Sequence, residues 1–220
     1  METHVFVIQP FISTFFNPAG LYGYYSTIMK KLIFLALSLF LMTFSINAQI
    51  KDDIQKSRER AEKLQKLCDN YKTSGNANID GYGNAVKDAA ILAIANSVQL
   101  ENMYQRQIGE TQDGVTDVTV TKPTLDEWIT FATTVGGEAA SIKKATDKAV
   151  AAANEVKTLT ENASKEKNKL KAVKAVSTAK AATAIINFGN EATPILVEES
   201  AAQAKAVQTI IETIKSGKNL

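Results

Sequence analysis

Apolar side chains return every three or four positions from Ile50 to Ile214, interrupted by stretches rich in turn-forming residues. That spacing matches the 3.6-residue period of an α-helix and lays a water-shunning stripe along each segment, which must be covered by a neighbour. A chain patterned this way is predicted to fold as an all-α protein, an elongated antiparallel bundle of four to five long amphipathic helices.

The first stripe is carried by Ile50, Ile54, Ala61, Leu64, Cys68 and Tyr71, with charged and amide residues between them. Residues 73–83, rich in Gly, Asn and Asp, predict a turn. A second helix is expected over 84–108, with Val86, Ala89, Ala90, Ala93, Ile94, Ser97, Leu100 and Tyr104 inward. Its middle, 89–95, is almost entirely apolar, which points to a central place in the bundle. Residues 109–123 read as a connector; Val115, Val118 and Val120 have β propensity but no obvious strand to pair with. Thr124-Leu-Asp-Glu127 is a capping-box pattern that opens a third helix, with Trp128, Phe131, Val135, Ala139, Ile142, Ala149, Ala153, Val156 and Leu159 on its stripe. Gly136-Gly137 inside that stripe costs up to about 1 kcal/mol per glycine, so a close helix contact or a bend is expected there. A stop at 162–164 precedes a fourth helix carrying Leu170, Val173, Val176, Ala181, Ala184, Ile185 and Phe188 and ending at Gly189-Asn190. Thr193-Pro194 then predicts a fifth helix, since proline is tolerated at a first helical position. Its stripe is Leu196, Ser200, Gln203, Val207, Ile210 and Ile214, with Gly217 as the stop.

Ahead of this pattern, Lys30 and Lys31 follow Met29, an apolar run of fifteen residues covers 32–46, and Ala48 is followed by Gln49. A positive start, an apolar middle and a small-residue exit are the three parts of a secretory signal peptide, and the run is shorter than the roughly 20 residues that span a bilayer. The organisation Met-Lys-Lys, leucine-rich stretch, Ala-Gln resembles exported proteins of Gram-negative bacteria and implies a periplasmic or secreted destination. Residues 29–48 are therefore expected to be a signal peptide and residues 49–220 a single helical-bundle domain. Residues 1–28, rich in aromatics and without Lys or Arg, are expected to be a mis-assigned start ahead of Met29 or a disordered leader; an uncleaved signal anchor is the alternative.

The charge is nearly balanced, 25 basic against 23 acidic residues, so nothing in the bulk composition favours nucleic acid as a partner. The one histidine, His4, precedes the expected cut, which removes His-based metal sites and Ser-His-Asp chemistry from the domain. Cys68 falls on an apolar stripe and reads as core. Gly81-Tyr-Gly83 lacks the strand and third glycine of a phosphate-binding loop, and 69–80 lacks the closing glutamate of a calcium loop. The adjacent carboxylates Asp52-Asp53, Asp126-Glu127 and Glu198-Glu199 are expected to be caps and solvated faces. No catalytic residue, cofactor or metal is assigned. The sharpest charge feature is the run Lys165, Lys167, Lys169, Lys171 and Lys174 against Glu166. Within it Lys167, Lys171 and Lys174 are expected to share a helix face and to offer contact to an anion or a lipid headgroup; the plainer reading is a solvated helix end.

These features favour a non-catalytic, exported protein of the cell envelope, acting in structure or in interaction with a protein partner or with its own copies. The alternative is a membrane-active protein similar in helix number and length to the helical pore-forming toxins, with no shared motif, in which residues 85–100 would lie at a membrane interface. Mass spectrometry of the exported chain is expected to read Gln49, or pyroglutamate in its place, at the N-terminus; a mass that retains Met1 overturns the assignment of 1–48.

Overall fold

The structure, a computed structural model, describes residues 46–110, 119–218 and 220. Residues 1–28, most of the expected signal peptide, and Val115 and Val118 of the connector lie outside the described residues. Nearly all of what is described falls in four α-helices: α1 (Ile46–Asn70), α2 (Ala77–Ile108), α3 (Leu125–Lys165) and α4 (Lys169–Lys215).

The starts of α2, α3 and α4 each have a local cause. The Asn76 side chain accepts from the amides of Asn78 and Ile79 at the head of α2, and the Thr124–Glu127 capping box forms in both directions at the head of α3. At the head of α4, Asn168 accepts from Leu170 and Lys171. These caps satisfy amides that an uncapped helix end leaves without partners. Gly75 takes a φ of +81° in the α1–α2 turn, which is tied down where Asp80 accepts from Ser74 and Gly75. Gly109 ends α2 at φ 76°, a conformation that glycine reaches without Cβ strain.

Cross-helix bonds give the directions. Trp128 Nε1 donates to Gln107 at 3.1 Å, Asn96 Nδ2 to Glu138 at 2.6 Å, and Asn76 Nδ2 to Glu155 at 3.0 Å. Positions on α3 rise as those on α2 fall, so these neighbours are antiparallel. Ile50 at the start of α1 shares an apolar cluster with Leu100 and Ile210, whereas Leu64 and Cys68 near its end share another with Ile79 and Ile185. Helix α1 is therefore antiparallel to α2 and α4, and α2 and α4 run parallel across the bundle.

The number of helices corrects one expectation. Helix α4 continues without a break through Gly189, Asn190 and Pro194, so the fourth and fifth helices of the sequence reading are one. Pro194 removes the bond to the Asn190 carbonyl, but both residues are exposed and water can take that carbonyl. Gly189 stands in α4 for packing. A Cβ on it would fall inside the hydroxyl end of Tyr82, and a Cβ on Gly83 would come within 2.6 Å of Ile185 Cγ2. The glycines at 81 and 83 accordingly lie inside α2, which starts at Ala77 and not near residue 84. With Ala89, Ala90, Ala93 and Ala192, all buried, Gly83 and Gly189 let α2 and α4 approach closely, whereas Gly81 faces Lys148 of α3. At Gly136 and Gly137, by contrast, a Cβ would meet nothing within 4 Å, so the close contact expected there is absent. Helix α3 also continues through 162–164 to Lys165.

Most of the expected core is buried, including Ile54, Leu64, Val86, Leu100, Trp128, Phe131, Ile142, Leu196 and Ile210. The exceptions lie on α4, where Ala184 is exposed and Ala182 is buried in its place, and above all at its start. Leu170, Val173 and Val176 are 86%, 71% and 43% exposed, although the sequence places them on an inward stripe. Glycine substitutions separate the two glycine classes: Gly189→Ala is expected to lower stability by about 1–2 kcal/mol through overpacking, while Gly136→Ala raises it by about 0.5–1 kcal/mol, both read from urea unfolding.

Candidate functional site

Two places in the bundle depart from a plain apolar core with a solvated surface. One is internal. Each helix interrupts its apolar stripe with charged, amide or serine side chains, and these interruptions meet at one level. On α1, Ser57 and Arg60 separate Ile54 from Leu64; on α2, Asn96 and Ser97 separate Ala93 from Leu100. On α3, Glu138 lies between Val135 and Ile142, and on α4, Glu199 and Gln203 lie between Leu196 and Val207. All seven polar residues are buried, between the two apolar clusters.

Glu199 is wholly buried. It accepts from Arg60 Nε and Gln203 Nε2, each at 2.5 Å, and from the Ser57 hydroxyl. Ser57 and Ser97 share a further bond at 2.8 Å, and Gln203 Nε2 also donates to the Ala93 carbonyl at 3.0 Å. Arg60 extends its other arm to Glu198, 3.1 Å away at the surface. A buried carboxylate is tolerable only with such a partner set, because unpaired it would cost several kcal/mol. This overturns the reading of Glu198-Glu199 as a solvated pair: Glu198 is solvated, Glu199 is the anion of the core. The signal was present in the spacing, since Glu199 continues the row Leu196, Gln203 and Val207.

Glu138 is 1% exposed and lacks a cation. Its Oε1 accepts from Asn96, while its Oε2 makes no well-formed hydrogen bond among the described residues. Burial pushes its carboxyl up to about 7; the Asn96 amide opposes this, the Glu199 charge adds to it, and the Ser200 hydroxyl opposes it more weakly. The sequence reading set Ala139 on the stripe; the structure turns Glu138 inward and leaves Ala139 half-buried. The layer offers a proton-binding carboxyl beside an ion pair, and its neighbours on either side are apolar. Cys68 is buried, and burial pushes its thiol up, which keeps it protonated and unreactive.

The other place is the hairpin formed by the end of α3 and the start of α4. Asn76, just before α2, is level with Glu155 on α3, and α1 has ended at Asn70. From residue 156 to residue 178 the two helices run on as a pair, roughly 15 Å beyond the ends of the others at 1.5 Å per residue. Only Ala163 is buried in that span. Ala172 and Ala175 are half-buried, which leaves Leu170, Val173 and Val176 as an exposed row at intervals of three. Lys171 and Lys174 border the row, Lys174 being one turn from Leu170. Lys165 is the last residue of α3, and Lys167 lies in the connection ahead of the Asn168 cap. The three lysines expected on one helix face are thus divided: Lys171 and Lys174 share the first turns of α4, and Lys167 stands at the tip. All five lysines are exposed. Among the described residues, no helix is long and apolar enough to cross a membrane, and no group of three or more His, Cys, Asp or Glu is placed to hold a metal ion.

Comparison with protein-family models, with curated proteins and with solved structures finds no match to this chain.

The raised carboxyl gives a signed expectation. Folded protein holds a proton on Glu138 that the unfolded chain releases near the ordinary value of 4.5. The associated stability is full below that value and is lost as pH rises to about 7, an effect of up to about 3 kcal/mol. Glu138→Gln is expected to flatten the fall between pH 5 and pH 8 and to be more stable than the native chain at the upper end. Equal pH slopes in urea unfolding of the two proteins would refute the assignment.

Proposed function

We propose that this chain is an exported, non-catalytic helical-bundle protein of the cell envelope, acting in structure or interaction, and that it holds an envelope component through the projecting α3–α4 hairpin. The observation that carries the reading is the exposed row Leu170, Val173 and Val176 on a hairpin that has left the bundle. Large apolar side chains that extended are unfavourable in water unless something covers them, and neither α1 nor α2 reaches them. The lysines of the tip add a cationic collar to that row, and net charge there differs from the rest of the chain. Between 156 and 178 six lysines stand against Glu161 and Glu166, whereas the whole chain carries a formal charge of only +2.

Export is supported by the sequence of residues 29–48 and by where the core begins. Ala48 and Gln49 are exposed and Ile50 is the first buried residue described, so a cut after Ala48 takes no described core side chain away. The non-catalytic part of the reading rests on the domain's lack of histidine, on a cysteine that is buried and protonated, and on buried carboxylates that belong to the polar layer.

Expression in a Gram-negative host followed by fractionation tests both halves. The native chain is expected in the envelope fraction in processed form. A variant in which 161–176 are replaced by a short turn is expected to be processed equally, to unfold with the same cooperativity, and to be released in soluble form. Recovery of unprocessed chain from the cytoplasm removes the export reading, and equal retention of the shortened variant removes the hairpin as the contact element.

A further inference from the structure

The hairpin tip offers more than exposure, because its chemistry selects among coverings. A protein partner of ordinary affinity needs roughly 800 Å² on each side and draws its binding energy from aromatic or arginine anchors seated in pockets. The tip is two helices wide, carries no aromatic or arginine between 156 and 178, and presents one short row of aliphatic side chains. A second copy of this chain is disfavoured by charge, since two tips would bring like-charged lysine clusters together. An anionic bilayer meets each of these features. It is laterally unlimited, it accepts one or two inserted aliphatic side chains, and its phosphates answer lysines whose stems lie along the apolar boundary while the ammonium groups stay in water.

We propose that the α3–α4 tip is a peripheral docking element for anionic phospholipid surfaces, with Leu170 and Val173 entering the headgroup boundary and the lysines of residues 165–174 pairing with lipid phosphates. The proposal rests on the hairpin being the contact element, and it names what that element contacts. The geometry suits it. Leu170 is the most exposed of the large apolar side chains described, at 86%, and it sits in the first turn of α4, next to the apex. Lys167 stands at the apex itself, with Lys165 and Lys169 on its two sides and Lys171 and Lys174 beside Leu170 and Val173. Glu166 accepts from the Asn168 amide at 2.9 Å, which binds this acid into the turn, and Glu161 lies one turn beyond Lys157, 4.0 Å from its ammonium. The two acids of the tip are thus engaged locally, while the apical lysines point to solvent.

Co-sedimentation of the chain with vesicles tests this, comparing pure phosphatidylcholine with phosphatidylcholine mixed with phosphatidylglycerol at low and high salt. Binding is expected only to the phosphatidylglycerol vesicles and is expected to fall steeply as salt rises. Lys171→Gln with Lys174→Gln is expected to weaken it by roughly fivefold per lysine, and Leu170→Glu by more than tenfold. These residues are exposed, so all variants are expected to unfold at the native temperature, and every other part of the chain is common to them. Absence of binding to phosphatidylglycerol vesicles overturns the proposal, as does equal binding to phosphatidylcholine alone. Binding that is indifferent to Leu170→Glu also overturns it, because charge alone would then account for the attraction. If vesicles fail while the shortened hairpin still releases the protein from cells, the docking partner is a protein or polysaccharide, and the reading of the hairpin as contact element survives without this inference.

Discussion

The buried ion pair between Arg60 and Glu199 is the constraint on which the register of this bundle depends. Much of the surface between the helices is alanine and glycine, and small side chains of similar shape let one helix slide past another at little cost. Charges do not. A one-turn slip of α4 would carry Glu199 about 5 Å from Arg60 and Ser57 into apolar surroundings, leaving an unpaired anion and an unpaired cation inside the protein. Gln203, bonded to Glu199 and to the Ala93 carbonyl, links the same level to α2. Glu138 and Asn96 fix α3 to α2 at that height.

With register set at one level, the small residues fulfil a different task above it. Gly83 and Gly189 let α2 and α4 pass so closely that the Tyr82 ring fills the place of the missing Cβ on Gly189. The hydrophobic gain per alanine is modest, about 25 cal/mol per Å² buried, so the helices must be long for the contact to suffice. Below the polar layer the arrangement changes. Trp128 and Phe131, with ring centres 6.4 Å apart, supply the bulk that alanine supplies elsewhere by closeness.

The unequal lengths of the helices then create the hairpin. Helices α1 and α2 have 25 and 32 residues, α3 and α4 have 41 and 47. The surplus of the longer pair stands clear of the bundle, paired through alanines, and whatever apolar residues face away from that pairing have no neighbour left. The lysine-rich apex and the aliphatic row become adjacent for this reason, and the proposed lipid contact is a consequence of helix length as much as of composition.

The sequence alone determined the helical class, the caps at Thr124 and Glu127, the burial of Cys68 and most of the stripe residues, because period and capping are local and can be read from a few neighbouring positions. It also marked the lysine run. Tertiary structure alone decided that α4 runs through Pro194, since an exposed carbonyl tolerates the lost bond. It decided that Gly83 and Gly189 serve packing while Gly136 does not, because that depends on which helix lies opposite. That Glu199, set on the stripe by its spacing, keeps its charge there followed from Arg60 arriving opposite it, and whether Leu170 faces a core or the open followed from how far each partner helix extends, a distance that no single segment of the chain encodes.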